Sequence, residues 1–286
     1  MMTIRNLVSH WPKLVTSLLL CLFVQSSCLG ETHDIKVAIA QIHCIDSDRD
    51  GNLVRIESAI VDAANQGAQI VCFPETSLYG WVNPEAHTLA QPIPGKDFEA
   101  LAALAKRYKV YLSIGLAEKE ADRTFDAAVL IDDGGKLLIK HRKINTLTHL
   151  MSPPYTRGSE VKTVETKFGR IGLLICADTF EASVVDRMQQ QRPELLLVPY
   201  GWAANKQDWP KHGLSLKATI ASAAKKIGCP IVGTNLVGCI SQGPWQGMIY
   251  GGQSYATDQA GDVIAQGKDR DRDIVVFSVT VTTTPR

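Results

Sequence analysis

A strand, a helix and a second strand follow one another within about forty residues near the front of the chain, and this succession decides the fold class. Residues 34–44 place Ile35, Val37, Ile39, Gln41 and His43 on alternate positions, the period of a strand. Residues 52–65 carry Leu53, Ile56, Ala59, Ile60 and Ala63 at helical spacing, and Gly67 stands where a helix stops. Residues 68–73 are again largely apolar. A unit of this kind is βαβ, so its two strands are expected to run parallel.

The rest of the chain repeats the theme. Residues 97–108 form a second amphipathic helix, with Phe98, Leu101, Leu104 and Ala105 on one face. Strands follow at 110–117, 124–132 and 136–140, the last two joined by the hairpin signal Asp133-Gly134-Gly135. An apolar run at 171–175 feeds a helical segment at 181–188. Residues 193–202 form another strand, 214–227 a helix and 229–238 a strand. A hairpin at 252–257 and 261–265 and a final strand at 273–281 complete the chain. Two halves of similar layout predict an α/β fold of two sheets packed face to face with helices outside.

Composition narrows the function. The formal net charge is +1 over 286 residues, with no basic run, which argues against a nucleic-acid partner. Arg5 and Lys13, the apolar stretch 14–24 and the small residues of 25–30 have the layout of a secretory signal. Cleavage after Gly30 places small residues, Cys28 and Gly30, at both specificity positions. Residues 1–30 are therefore read as a signal peptide, 31–286 as the functional domain, and the protein as exported (periplasmic or secreted). Lipidation of Cys28 is a weaker alternative, because Gln25 stands where such signals carry an apolar residue. The signal or that anchor is the only membrane contact expected. Of the seven cysteines, five follow residue 30, an odd number that marks a reactive or unpaired thiol in an oxidising compartment. There is no CxxC pair and no Cys/His cluster at zinc spacing, so no metal is expected.

The chemistry gathers at strand ends. Glu75 follows an apolar strand that Pro74 terminates, and Leu78, Tyr79 and Trp81 surround it in sequence. Lys143 follows the returning strand of the first hairpin. Cys176 ends the apolar run 171–175, in the turn before a helix, where a helix dipole favours thiolate. Open α/β sheets put their ligands at such carboxyl ends. Taken singly, each residue has an ordinary reading: a buried small hydrophobe for Cys176, a solvated side chain for Glu75 and for Lys143. Together they supply a nucleophile, a general base and a fixed cation for an oxyanion.

These segments resemble the nitrilase, or carbon–nitrogen hydrolase, superfamily. The resemblance rests on Phe73-Pro74-Glu75-Thr76, His141-Arg142-Lys143 and the nucleophile motif at 172–178. Further landmarks are 199–202, 233–238 and 252–254, and the likeness spans roughly 35–281. It implies an αββα sandwich, catalytic Glu75, Lys143 and Cys176, no cofactor, and a homo-oligomer, often a dimer joined through helices beside the active site. Two departures stand out. The second glutamate that many relatives carry after the lysine is missing near Met151, which leaves its positioning role absent or to His149 or Thr148. An asparagine common before the hairpin is Asp126 here. Cys176-Ala177-Asp178 is more similar to the amidase and carbamoylase branches than to true nitrilases.

The reading is hydrolysis of a small linear amide or N-carbamoyl compound through a thioester on Cys176. The oxyanion is expected on Lys143 and the Ala177 N–H. Tyr79, Trp81, His149, Ala177, Asp178, Tyr200 and Trp202 are the expected substrate contacts, with plain core packing as the alternative for the aromatics. A nitrilase, or a weakly catalytic binding protein on the same scaffold, are the competing readings.

Overall fold

The computed structural model describes residues 31–283. The expected signal segment, 1–30, lies outside them. In the first half, the elements in chain order are β1 (Glu31–Gln41), α1 (Arg49–Asn65), β2 (Ile70–Cys72), α2 (Ala86–Leu89), α3 (Lys96–Tyr108), β3 (Tyr111–Glu120), β4 (Arg123–Ile131) and β5 (Leu137–Arg142). The second half continues with β6 (Thr163–Thr166), β7 (Gly169–Leu173), α4 (Ala182–Gln191), β8 (Leu195–Tyr200), β9 (Ala203–Ala204) and α5 (Lys211–Ile227). It closes with β10 (Ile231–Asn235), β11 (Val237–Cys239), β12 (Ile249–Gly251), β13 (Tyr255–Thr257), β14 (Val263–Gln266) and β15 (Asp273–Thr283).

Two six-stranded mixed sheets result, in the orders β15-β1-β2-β3-β4-β5 and β14-β13-β10-β8-β7-β6. The expected βαβ unit is present, with β1, β2 and β3 parallel. The 133–135 turn joins β4 and β5 as an antiparallel pair. Because β3 and β4 are also antiparallel, β5 runs in the direction of β2. In the second sheet β7, β8 and β10 are parallel. The final strand crosses back: β15 pairs antiparallel with all of β1, Glu31 opposite Thr283.

Strand alternation sorts the layers. Ile35, Val37 and Ile39 of β1 pack with Ile171, Leu173 and Leu197 in the core between the sheets. Their neighbours Ala38 and Ala40 turn the other way, onto Ile56 and Ile60 of α1 and Leu101 and Ala105 of α3. The second sheet is covered by Val184 and Met188 of α4 and by Leu216 and Ile220 of α5. This is the αββα sandwich expected from the sequence.

Some boundaries differ for local reasons. β6 is a polar edge strand, Thr-Val-Glu-Thr, with no apolar run to announce it. The single strand expected at 229–238 divides into β10 and β11, and β11 joins a small three-stranded sheet with β12 and β9. The helix expected at 181–188 is present as α4 from Ala182, and a 3₁₀ turn, Cys176–Phe180, fills the gap after the apolar run. Among the described residues the five cysteines form no disulfide; Cys44, Cys72, Cys176 and Cys229 are buried and Cys239 is exposed.

Candidate active site

The carboxyl ends of β2, β5 and β7 converge, and the three strand-end residues meet there. Glu75 is placed by backbone bonds to both sheets. Ser77 N donates to Gly115 O at 3.0 Å, Gly115 N to Pro74 O at 3.0 Å, and Glu75 N to Tyr200 O at 3.4 Å. Gly115 is needed for this approach: a Cβ there would lie 2.5 Å from Glu75 Cα. Thr76, next in the chain, takes a left-handed φ of 41°, which makes the turn sharp.

Lys143 leaves β5 with its own N–H bonded to Asp126 O at 2.8 Å. Its side chain is buried. The ammonium donates to Glu75 Oε1 and lies 3.2 Å from Asp126 Oδ2. It also sits 5.2 Å from the centre of the Trp81 ring. Burial alone would push the Lys143 ammonium down, but Glu75 and Asp126 outweigh it and the net direction is well up. The lysine is a fixed cation.

Cys176 is buried and has φ 41°, again left-handed, in the tight turn that leaves β7. Burial pushes its thiol well up and Glu75 adds to this, while Lys143 and the Gly201 N–H oppose it. The expectation that a helix dipole favours thiolate is not met: α4 starts where its pattern predicts, six residues beyond the sulfur, and burial and Glu75 push the thiol up. Gly201 lets the Glu75 carboxyl approach. A Cβ on Gly201 would lie 2.9 Å from Glu75 Oε2, the oxygen that has no hydrogen-bond partner.

Asp178 ties the nucleophile turn to the lysine loop. Its Oδ1 accepts from Ile144 N at 3.0 Å and Asn145 N at 2.8 Å; its Oδ2 lies 2.8 Å from His141 Nε2 and 3.2 Å from Ile175 N. Both oxygens are taken by protein donors, so the carboxylate orients its neighbours and has no oxygen left to offer a substrate. Asn145 adds a bond from Nδ2 to Ala177 O at 3.1 Å. Burial raises the Asp178 carboxyl, but the contacts to His141 and Asn145 prevail and hold it below its usual value.

The remaining candidates divide. Trp81 lies at the ammonium. Tyr200 is buried beneath the nucleophile, its hydroxyl 2.9 Å from Thr179 Oγ1, which donates to Cys176 O at 2.7 Å. Trp202 is half-buried, edge-on to Tyr200 and to Phe180. Ala177 is buried beside Cys176. Tyr79 turns its hydroxyl away, to Asp97 Oδ2 at 2.7 Å. Thr148 and His149 sit exposed in a short 3₁₀ turn, and the second carboxylate beside Lys143 is Asp126. Asp126 and Tyr155 were not among the residues chosen from sequence. A lone carboxylate inside the apolar strand Phe125–Ile131 was the available signal for Asp126. Tyr155 is buried and stacked on His87, in a loop with nothing regular to announce it.

Comparison with known proteins places this geometry in a family. The carbon-nitrogen hydrolase family profile matches residues 36–284. A bifunctional nitrilase/nitrile hydratase of Nicotiana tabacum is 26% identical over 226 residues, covering 72% of this chain and 62% of the relative. The omega-amidase of Homo sapiens is 32% identical over 189 residues, covering 62% of this chain and 66% of the relative. The matched stretch thus spans less than two thirds of either relative's length. Among solved structures, a carbon-nitrogen hydrolase from Helicobacter pylori G27 superposes with a TM-score of 0.77 at 20% identity, covering 86% of this chain and 89% of that one. An amidase of the nitrilase superfamily from Nesterenkonia AN1 superposes with a TM-score of 0.74 at 20% identity, covering 86% and 90%.

Proposed function

The chain belongs to the carbon-nitrogen hydrolase family, and from that premise we propose that it is a cysteine-dependent amidase acting on a small linear amide or N-carbamoyl compound. The observation that carries this reading is the buried Glu75–Lys143 pair, delivered from two strand ends to the turn that holds Cys176. The omega-amidase relative supports an amide substrate.

The Cys176 sulfur attacks the carbonyl carbon as its proton passes to Glu75. The oxyanion that forms is met by the Lys143 ammonium and the Ala177 N–H, donors fixed in place before the reaction. Collapse expels ammonia or an amine, which leaves with the proton from Glu75, and a thioester remains on Cys176. Glu75 then takes a proton from water, whose oxygen attacks the thioester; acid is released and the thiol is restored.

The test is a panel of linear amides, N-carbamoyl compounds and nitriles, read as released ammonia, with protein quenched during turnover analysed by mass spectrometry. Turnover of an amide with an acyl adduct on Cys176 is expected. An active enzyme with no adduct and full activity after Cys176→Ala would reject the thioester reading. The Nicotiana relative favours one second reading, a nitrilase. Acid and ammonia from a nitrile, without turnover of the matching amide, would establish it. If no compound turns over and none forms an adduct, the chain is a binding protein on this scaffold.

Two further proposals concern the whole protein: export through residues 1–30, checked by the N-terminal sequence of the exported protein, and assembly as a dimer through the α4/α5 face.

A further inference from the structure

Asp126 is an unexpected guest in this pocket. It lies on β4, fully buried, with Oδ2 3.2 Å from the Lys143 ammonium. Glu75 Oε1 accepts from the same ammonium, so the two carboxyls meet around one cation. Each has one buried oxygen with no donor, Glu75 Oε2 and Asp126 Oδ1, and the buried Tyr155 hydroxyl is unpartnered as well. Two carboxylates and one ammonium out of water leave a net negative charge, which low-dielectric surroundings strongly disfavour. Two carboxylates in contact also repel, whereas a carboxylic acid beside a carboxylate makes a hydrogen bond.

We infer that Asp126 is a positioning residue that stays a carboxylic acid at neutral pH: it donates to Glu75 and accepts from Lys143, so the resting pocket holds one anion and one cation. The groups that face it are Glu75 from the loop after β2, Lys143 at the end of β5, Cys176 after β7 and Tyr155 from the 145–162 loop. Burial and then Glu75 push its carboxyl well up, with Lys143 opposing. Within the reading proposed above, this neutral state matters. A second anion would cancel the charge that Lys143 offers the oxyanion and would oppose a developing thiolate on Cys176. Activity is therefore expected to fall as pH rises through the Asp126 titration.

Two measurements test this, and the first needs no substrate. Infrared spectra of the folded protein at pH 7, taken in H₂O and D₂O, should show a protonated carboxyl band, because solvated carboxyls are ionised there. The band should be absent from Asp126→Asn. Its absence from the native protein, or its persistence in the variant, overturns the proposal whether or not the protein is an amidase. The second is the pH profile of hydrolysis. Asparagine keeps a donor and an acceptor but cannot ionise, so the alkaline limb should move up by about one pH unit or more in Asp126→Asn, with a severalfold loss of kcat and little change in KM. An unmoved limb, or a loss beyond about a hundredfold, means that Asp126 is only structural or acts as an anion. If Asp126→Asn fails to fold, the infrared spectrum of the native protein decides alone, and its band should disappear as pH is raised through the fall in activity.

Discussion

Cys176 shows how one turn can decide a residue's chemistry. Its left-handed φ and buried sulfur would be pure cost in a core position, since such strain is worth on the order of 1–3 kcal/mol. Beside Glu75 and Lys143 the same features suit the proposed mechanism, which asks for a sulfur next to a base and a cation. Cys176→Ala is therefore expected to lower hydrolysis by about a thousandfold or more while the protein stays folded, checked by ammonia release beside a circular dichroism spectrum. Asp178 makes a separate prediction, because its contribution is to stability. Its folded value lies below that of an unfolded aspartate, about 3.9. Such a group stabilises the fold above the unfolded value, and the gain is lost as pH falls through the folded one. Asp178→Asn should cost about 2 kcal/mol at pH 7, the usual result of depriving buried donors of a charged acceptor. In urea titrations the midpoint should drop with an unchanged slope, and the gap between variant and native protein should narrow below about pH 4.

Elements fix the separations on which these residues depend. Gly115 of β3 passes so close to the Glu75 turn that a Cβ would meet Glu75 Cα at 2.5 Å, Thr76 N at 2.7 Å and Pro74 O at 2.8 Å. All three are backbone atoms, so the turn itself must shift. Gly115→Ala should lower kcat by about a hundredfold, since misplacement by an ångström has that effect; it should also lower Tm, and steady-state kinetics with a melting curve checks both. The same closeness explains what could be read before the structure. Glu75, Lys143 and Cys176 were legible because each follows an apolar strand, and a strand end announces itself by a change in periodicity. Most of the layers were legible for the same reason. Asp126 showed in the sequence only as a replacement for the asparagine of similar proteins; its place beside Lys143 did not show, because β4 is buried on both faces and gives no alternation to reveal where a side chain points. Asp178 was assigned to the substrate because its sequence neighbours suggested it. Its partners His141, Ile144 and Asn145 come from more than thirty residues away, and only the folded sheets bring them together. β6 and α2 escaped notice because one is polar and the other a single turn.

At the scale of the molecule, both sheets are covered by helices, yet the α4/α5 layer carries apolar surface of its own. Phe180 is 48% exposed and Leu214 60% exposed. A groove of about 550 Å³ runs between the two helices, with Phe180, Ala182, Val185 and Ala223 beside the polar Thr219 and Ser222 and the Asp186–Lys226 pair. The dimer proposed above would have a second copy cover this face and bury Phe180 and Leu214 symmetrically. A line of contacts joins this face to the Cys176 turn. Phe180 lies edge-on to Trp202, Trp202 to Tyr200, and the Tyr200 hydroxyl meets Thr179, which holds the Cys176 carbonyl. A charge at Leu214 leaves this chain of contacts untouched but places an unpaired carboxylate in the proposed interface, at a cost of several kcal/mol. Leu214→Glu should therefore convert a dimer to a monomer in sedimentation velocity while the melting transition stays cooperative. If the contact also steadies the Phe180–Trp202 pair, hydrolysis should fall as the dimer dissociates and should return at protein concentrations high enough to restore it. A native protein that sediments as a monomer would refute the proposed face. A dimer that Leu214→Glu leaves intact would place the interface elsewhere.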